Sequence, residues 1–193
     1  MVDKSTGRRA FRIGGAVATA LLALATAAIH AGPAQAAPAV RGFTLPEGAP
    51  NPGAGFVIKS AYRVVAGVQI YSCVTAADGT SAWSTPTSVP EAVLYQYGGR
   101  GRIHHFAGPR WQARDGSTVV AAAIERVAKD GTIPWLLLEV TAHENSAPGK
   151  ELDNVTHISR VNTRRGVGPT GTCTPGRQKS VPYGADYVFW TAA

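Results

Sequence analysis

Three Asp-Gly dipeptides constrain the fold of this chain more than any other feature of the sequence. They are Asp78-Gly79, Asp115-Gly116 and Asp130-Gly131. The dipeptide supplies the positive φ angles that a tight hairpin turn needs, so each one is a strong local hairpin signal. The last two dipeptides delimit three segments that we interpret as sequential antiparallel strands: residues 102–114, 117–129 and 132–143.

Strand patterns extend over most of the remaining chain. Residues 56–65 and 67–75 are rich in Val, Ile and Tyr, and the second segment alternates with the two-residue period of a strand. Residues 133–138 are apolar on both faces, as in a strand that is covered on both sides. Further strands are expected at residues 155–161 and 181–190. A helix is the alternative for residues 117–129, which include three consecutive alanines, but the flanking turns favour a strand.

These patterns predict an all-β fold. We expect an antiparallel β-sandwich or distorted barrel of about eight to ten strands, formed by one domain at residues 56–193. Residues 37–55 contain four prolines with several Gly and Ala residues, which predicts a flexible lead-in rather than a second domain.

Residues 1–36 have the organisation of a cleavable signal peptide. Four basic side chains precede an apolar run at residues 14–29, and Ala34-Gln35-Ala36 supplies a cleavage site of small residues. The run is shorter than the roughly 20 apolar residues that span a bilayer. Arg8-Arg9 followed by Phe11 resembles the twin-arginine export signal, and general secretion is the alternative. We therefore expect a secreted or periplasmic protein without a membrane span.

The charge of the remaining 157 residues gives little information about partners. They carry 15 basic and 11 acidic residues, which gives a net charge of +4. Such a charge favours mild attraction to anionic envelope polymers and gives little support for nucleic-acid binding. We expect a monomer with a small molecule or an anionic envelope polymer as its partner.

Two cysteines, Cys73 and Cys173, are the only ones in the chain. In an oxidising compartment such a pair is expected to form a disulfide. A metal or redox pair is the alternative, but neither cysteine has a Cys-x-x-Cys partner or a cluster of histidines beside it.

Several blocks between residues 67 and 190 follow one another in a distinctive order. They are Gly67-Val68-Gln69-Ile70-Tyr71-Ser72-Cys73, His105-Phe106-Ala107-Gly108-Pro109-Arg110-Trp111, Asp115-Gly116-Ser117, Ile133-Pro134-Trp135-Leu136-Leu137-Leu138, Val155-Thr156-His157-Ile158-Ser159-Arg160-Val161-Asn162-Thr163, Cys173, and Val181-Pro182-Tyr183-Gly184-Ala185-Asp186-Tyr187. In order and spacing these blocks resemble the bacterial and fungal family known as domain of unknown function 3455. The resemblance implies secretion and a common fold, and it implies no known activity.

Some members of that family carry a dehydrogenase label, which this sequence does not support. A dinucleotide site needs Gly-x-Gly-x-x-Gly at a strand-to-helix turn. Gly53-Ala54-Gly55 lacks the third glycine, and Gly98-Gly99-Arg100-Gly101 has the wrong spacing. We therefore expect no cofactor.

Two positions depart from the family pattern. The family usually has Thr-x-Gly-Gly after Thr163, and Arg165 stands at the first of these glycine positions. A loop conformation or close approach that depends on two glycines would be lost here. Arg110 stands where the family often has a small residue.

Four residues are candidate ligand-binding residues: His105, Trp111, Asp115 and Arg160. If Asp115-Gly116 is a hairpin tip, His105 and Trp111 lie six residues apart on the strand that approaches it, on the same face. They could line a pocket for a small molecule or a sugar. In the structural alternative, Gly108-Pro109 bends the chain, His105 bonds to the backbone and Trp111 is a core residue.

Arg160 has two interpretations as well. Its planar guanidinium suits an anionic ligand, or a buried carboxylate such as that of Asp186 or Glu139. The remaining arginines are interpreted as solvated surface residues.

Catalytic patterns are weak in this sequence. A triad could be drawn from Ser117, His105 and Asp115, but no Gly-x-Ser-x-Gly elbow occurs, and Asp115 and Ser117 fit turn chemistry. The histidines after residue 36 form no His-x-His or His-Glu-x-x-His pattern, so we assign no metal site: His104, His105, His143 and His157.

Three functions therefore stand side by side. The first is an exported domain that binds a small molecule or an envelope glycan through the region of His105 and Trp111. The second is an extracytoplasmic enzyme, a hydrolase or a metal-assisted one. The third is a structural or interaction protein of the cell envelope. A concave pocket that contains both residues would support the first.

Overall fold

The computed structural model describes residues 38–193, which form eleven β-strands; residues 1–37, with the predicted signal peptide, lie outside the described residues. The strands are β1 (Ala39–Val40), β2 (Phe43–Thr44), β3 (Phe56–Thr75), β4 (Ser81–Trp83), β5 (Val89–Gln96), β6 (Arg102–Phe106), β7 (Arg110–Ala113), β8 (Thr118–Val127), β9 (Trp135–Glu144), β10 (His157–Arg165) and β11 (Gln178–Ala192). Within the described range, no helix has the length and apolar character needed to cross a lipid bilayer.

Eight of the strands close into an antiparallel ring. Their order is β3-β5-β6-β7-β8-β9-β10-β11, and β11 returns to pair with β3 along most of its length. The short β4 adds to the far end of β3, where Cys73 pairs with Trp83. Closure satisfies the backbone hydrogen-bonding groups that an open sheet leaves free at its edges. The predicted all-β fold is confirmed, and it takes the form of a distorted barrel.

All three Asp-Gly dipeptides lie in turns between antiparallel strands. Gly79, Gly116 and Gly131 have φ angles of 84°, 82° and 68°. The preceding aspartates stay outside the left-handed region. Two of them accept hydrogen bonds instead: Asp78 Oδ1 from the Thr80 N–H and Asp115 Oδ1 from the Ser117 N–H, each at 2.9 Å. The turns therefore need a positive φ only at the glycine.

Two strand assignments were wrong in detail. Residues 102–114 are not one strand, because a turn at residues 107–109, with Gly108 at φ 122°, divides them into β6 and β7. Residues 56–65 and 67–75 are not two strands, because β3 runs through Gly67 with only a register shift against β5. A Cβ on Gly67 would lie 2.7 Å from Val64 Cγ1 and 2.9 Å from Tyr183 Cε1, so this glycine permits close packing and does not end the strand.

Alternate side chains point into the ring, and a second cluster covers part of its outer face. The largest buried interior residues are Tyr62, Leu94, Ile103, Trp111, Tyr187 and Phe189. Outside the ring, Phe43 and Leu45 pack against Val161, Val188 and Trp190. The Pro-rich segment before β3 thus covers the outer face of β10 and β11, a packing that its composition alone does not indicate.

The end of β10 keeps a glycine-like conformation in spite of Arg165. Arg165 has a φ of 57° and Gly166 one of 79°, so both lie in the left-handed region. The Arg165 carbonyl accepts a hydrogen bond from the Ile133 N–H at 3.0 Å, and the Gly166 carbonyl accepts one from the Tyr71 hydroxyl at 2.7 Å. These bonds hold Arg165 in a conformation that costs an L-residue about 1–2 kcal/mol.

Replacing Gly166 by Ala is expected to lower the free energy of unfolding by about 2–4 kcal/mol, measured by denaturant titration. A Cβ there would lie 2.8 Å from Tyr183 Cβ and 3.1 Å from Ile133 Cγ2, in addition to the positive φ. Gly149→Ala is the matched control, because Gly149 has a φ of 86° and open space around it. Equal losses in the two variants would contradict the packing described here.

Candidate functional site

A half-open cavity of about 970 Å³ is lined by residues of all eight strands of the ring. It is bordered by the loop before β5, the β6–β7 turn and the beginning of β9. Its walls are mainly apolar, with Ala121 and Ala123 from β8 and Leu136 and Leu138 from β9. Small alanines on β8 leave space beside the large leucines, and a ring of eight strands can hold one small ligand in such a space.

His105 and Trp111 meet in this cavity because the β6–β7 hairpin places them directly opposite each other. Their rings stack at a centroid distance of 4.2 Å with an interplanar angle of 7°. The ring of Tyr187 contacts both edge-on, at 5.1 and 5.7 Å between centroids. The two residues share a face as expected, but they do so across a strand pair and not along one strand.

His105 is neutral and has a defined tautomer. Its Nδ1 lies 2.9 Å from the Arg110 carbonyl oxygen, which can only accept, so Nδ1 carries the proton and Nε2 presents a lone pair. The pKa of His105 is lowered from 6.5 to about 3, mainly by burial; the hydrogen bond to Arg110 opposes this shift, and the positive charge of Arg160 adds to it. At neutral pH the residue is thus a hydrogen-bond acceptor rather than a cation.

Arg160 lines the same cavity from β10, where it pairs with Leu136 and Tyr187 of the neighbouring strands. Its Nε and Nη2 donate to the Pro134 carbonyl at 3.1 and 2.9 Å. Neither carboxylate suggested by the sequence is its partner. Asp186 accepts hydrogen bonds from Tyr97 and Asn162 instead, at 2.8 and 2.7 Å. A carbonyl neutralises no charge, so the guanidinium of Arg160 keeps its positive charge at the cavity.

Two buried donors that line the cavity have no partner among the described residues. They are the indole Nε1 of Trp111 and the amide Nε2 of Gln69. A buried polar group without a hydrogen bond typically costs about 1–3 kcal/mol.

Asp115 lies apart from this cluster, in the exposed turn between β7 and β8. Desolvation by itself raises the pKa of Asp115, but hydrogen bonds from Ser117 and the Glu151 N–H together lower it. Ser117 Oγ donates to Asp115 at 2.6 Å and accepts from the Leu152 N–H at 3.2 Å. Ser117 and Asp115 thus bond to each other and to the loop before β10, while His105 bonds elsewhere, and no Ser/His/Asp triad is assembled.

Across residues 38–193, no three His, Cys, Asp or Glu side chains converge as a metal site would require. Arg110, which departs from the family pattern, bonds through Nη2 to Glu144 Oε1 at 3.1 Å. This ion pair lies outside the set of residues that line the cavity.

Sequence patterns missed several residues of the cavity. Gln69 lies in a strand whose alternation was noted, but the pattern did not say that Gln69 and Tyr71 are buried while Val68 and Ile70 are only partly covered. Tyr187 lies in one of the family blocks and gave no separate signal. The alanines of β8 suggested a helix, whereas their small size is what opens the cavity.

The comparisons with known proteins agree with the resemblance noted in the sequence. The family model described as protein of unknown function (DUF3455) matches residues 96–191. No curated protein and no solved structure matches the chain. The matched segment runs from the end of β5 through most of β11, and it includes His105, Trp111, Arg160 and Cys173. Through this match, residues 96–191 are assigned to the DUF3455 family of proteins of unknown function.

Proposed function

We propose that this protein is an exported binding protein that holds a small molecule in the cavity of its strand ring. The cavity itself carries the proposal, because about 970 Å³ lies near the upper end of the roughly 300–1,000 Å³ typical of ligand sites. Apolar walls with a few converging polar groups are the usual composition of such sites. His105 Nε2 and Arg160 provide those polar groups.

A small molecule fits this cavity better than a glycan chain. Sugars commonly pack on an accessible aromatic face, whereas Trp111 is 1% exposed and its ring is covered by His105. The wall formed by Ala121, Leu136 and Leu138 offers dispersion contacts and no hydrogen bonds to sugar hydroxyls. We therefore expect the ligand to have a substantial apolar part.

Export is part of the proposal. The structure contains a disulfide between Cys73 and Cys173, and disulfides persist mainly in oxidising compartments outside the cytoplasm. Together with the signal-like residues 1–36, this favours a secreted or periplasmic binding protein.

Filling the cavity is expected to abolish binding. Phenylnaphthylamine, a neutral aromatic dye whose fluorescence rises in apolar surroundings, is titrated into the purified protein and into Ala123→Phe. Ala123 lines the cavity, so the added phenyl ring should weaken dye binding at least about tenfold. Ala142→Phe is the control, because Ala142 is exposed on β9 and does not line the cavity. Absence of binding to the unmodified protein, or equal binding by both variants, would contradict the proposal.

A further inference from the structure

The charges around the cavity are unbalanced. Two arginines line it, Arg126 in an exposed position and Arg160 partly buried. No aspartate or glutamate is among the described residues that line it. His105 contributes no charge at neutral pH because its pKa is about 3. The cavity is thus positive as well as apolar.

Nearby carboxylates do not compensate for Arg160. Asp186 is 4% exposed and accepts its hydrogen bonds from Tyr97 and Asn162. Glu139 is exposed and lies next to Leu138 on β9, so strand alternation directs it to the opposite face. Across residues 38–193, Arg160 makes no ion pair, and its hydrogen bonds go to the carbonyl of Pro134.

Arg160 also retains donors for a ligand. A guanidinium has five N–H groups, and the bonds to Pro134 use one on Nε and one on Nη2. Three N–H groups therefore remain without a partner among the described residues. They suit a carboxylate or a sulfonate, because an arginine can bind two oxygens of such a group at once.

We infer that the ligand of this cavity is an amphipathic anion, with a single carboxylate or similar head at Arg160 and an alkyl or aryl body against the apolar wall. The body lies along Ala121, Ala123, Leu136 and Leu138. The head neutralises the partly buried guanidinium of Arg160, whose hydrogen bonds among the described residues go to a carbonyl and not to a carboxylate. This inference rests on the proposed function, because it names the class of molecule that the same cavity takes.

Two dyes with a common aryl body test the inference that the ligand is an amphipathic anion. Anilinonaphthalene sulfonate carries a negative charge, and phenylnaphthylamine is its neutral counterpart. The unmodified protein should bind the anion at least about tenfold more tightly than the neutral dye, and added salt should reduce this preference only weakly, because partly buried pairs are screened less than exposed ones. This comparison needs no variant, so it stands even if a substitution at Arg160 impairs folding.

Substitutions of single arginines then identify the residue that binds the anionic head. Arg160→Gln should lose about tenfold in affinity for the anion and keep its affinity for the neutral dye, while Arg160→Lys should retain part of the preference. Arg164→Gln is the control, since Arg164 is exposed on the same strand and does not line the cavity. The thermal midpoint of each variant confirms that it is folded. Binding of the neutral dye with equal or weaker binding of the anion would overturn this inference and leave the proposed function intact. Failure of both dyes to bind would overturn both.

Discussion

Breaking the Cys73–Cys173 disulfide is expected to lower the free energy of unfolding by about 4.7 kcal/mol, the chain-entropy value for a loop of about 100 residues. The two cysteines are 100 residues apart in sequence, with Cα atoms 5.8 Å apart. Cys73 lies near the end of β3, and Cys173 lies in the loop that leads to β11. The bond therefore fixes the two strands whose pairing closes the ring, and its loss frees a long segment in the unfolded chain.

This loss is measured by comparing the thermal midpoint of the oxidised protein with that of the double variant Cys73→Ser/Cys173→Ser. For a domain of this size the midpoint should fall by roughly 10–18 °C. Reducing agent should produce a similar fall in the unmodified protein and none in the double variant. Two freely reactive thiols in the native protein, or an unchanged midpoint after reduction, would contradict the expectation.

Acidification is the second large effect, and His105 is expected to cause much of it. Its pKa of about 3 in the folded protein lies below the 6.5 of the unfolded chain, so below pH 6.5 the unfolded state binds the additional proton. Stability from this residue is fully present above pH 6.5 and is lost as the pH falls towards 3. Between pH 6.5 and 4.5 this loss amounts to about 3 kcal/mol.

The measurement is the free energy of unfolding against pH, in the unmodified protein and in His105→Asn. The asparagine amide nitrogen takes the position of Nδ1, so it can still donate to the Arg110 carbonyl, and it does not titrate; the variant should therefore show a much shallower loss below pH 6.5. His143→Gln is the control, since His143 is exposed and bonds to the Val155 carbonyl at 3.0 Å. If the free energy of unfolding falls with pH equally in the His105 variant and the unmodified protein, His105 is not the cause of the loss of stability.

Sequence patterns predicted the fold correctly at the turns, where the conformation of the backbone depends on two or three neighbouring residues. The Asp-Gly dipeptides fixed three turns, because only glycine reaches the required φ without strain. Gly108-Pro109 was harder to interpret, since a turn between two strands and a bend within one strand leave similar traces in sequence. Gly67 was interpreted as a break between two strands. Its lack of a side chain instead permits close packing against Val64 and Tyr183, and β3 continues through it.

The site was only partly predictable for a related reason. His105, Trp111 and Arg160 stand out as residue types, and the ring brings all three to one cavity. The face of each strand that points inward depends on closure of the ring, which joins β3 to β11 across more than 100 residues. No local pattern contains that information, and so Gln69 was not assigned to the interior. The structural alternative for His105 also describes its hydrogen bond to Arg110 correctly.

The most direct test of the interior binding site is a nuclear magnetic resonance titration of the four indole N–H signals with dodecanoate. The chain has four tryptophans, of which Trp111 lines the cavity while the Trp190 indole donates to Ser159 Oγ at 2.9 Å on the outer face. We expect the Trp111 signal to shift in a saturable manner and the Trp190 signal to stay in place. A Trp111 signal that does not move while dodecanoate binds, or no binding at all, would contradict the assignment of this cavity as the ligand site.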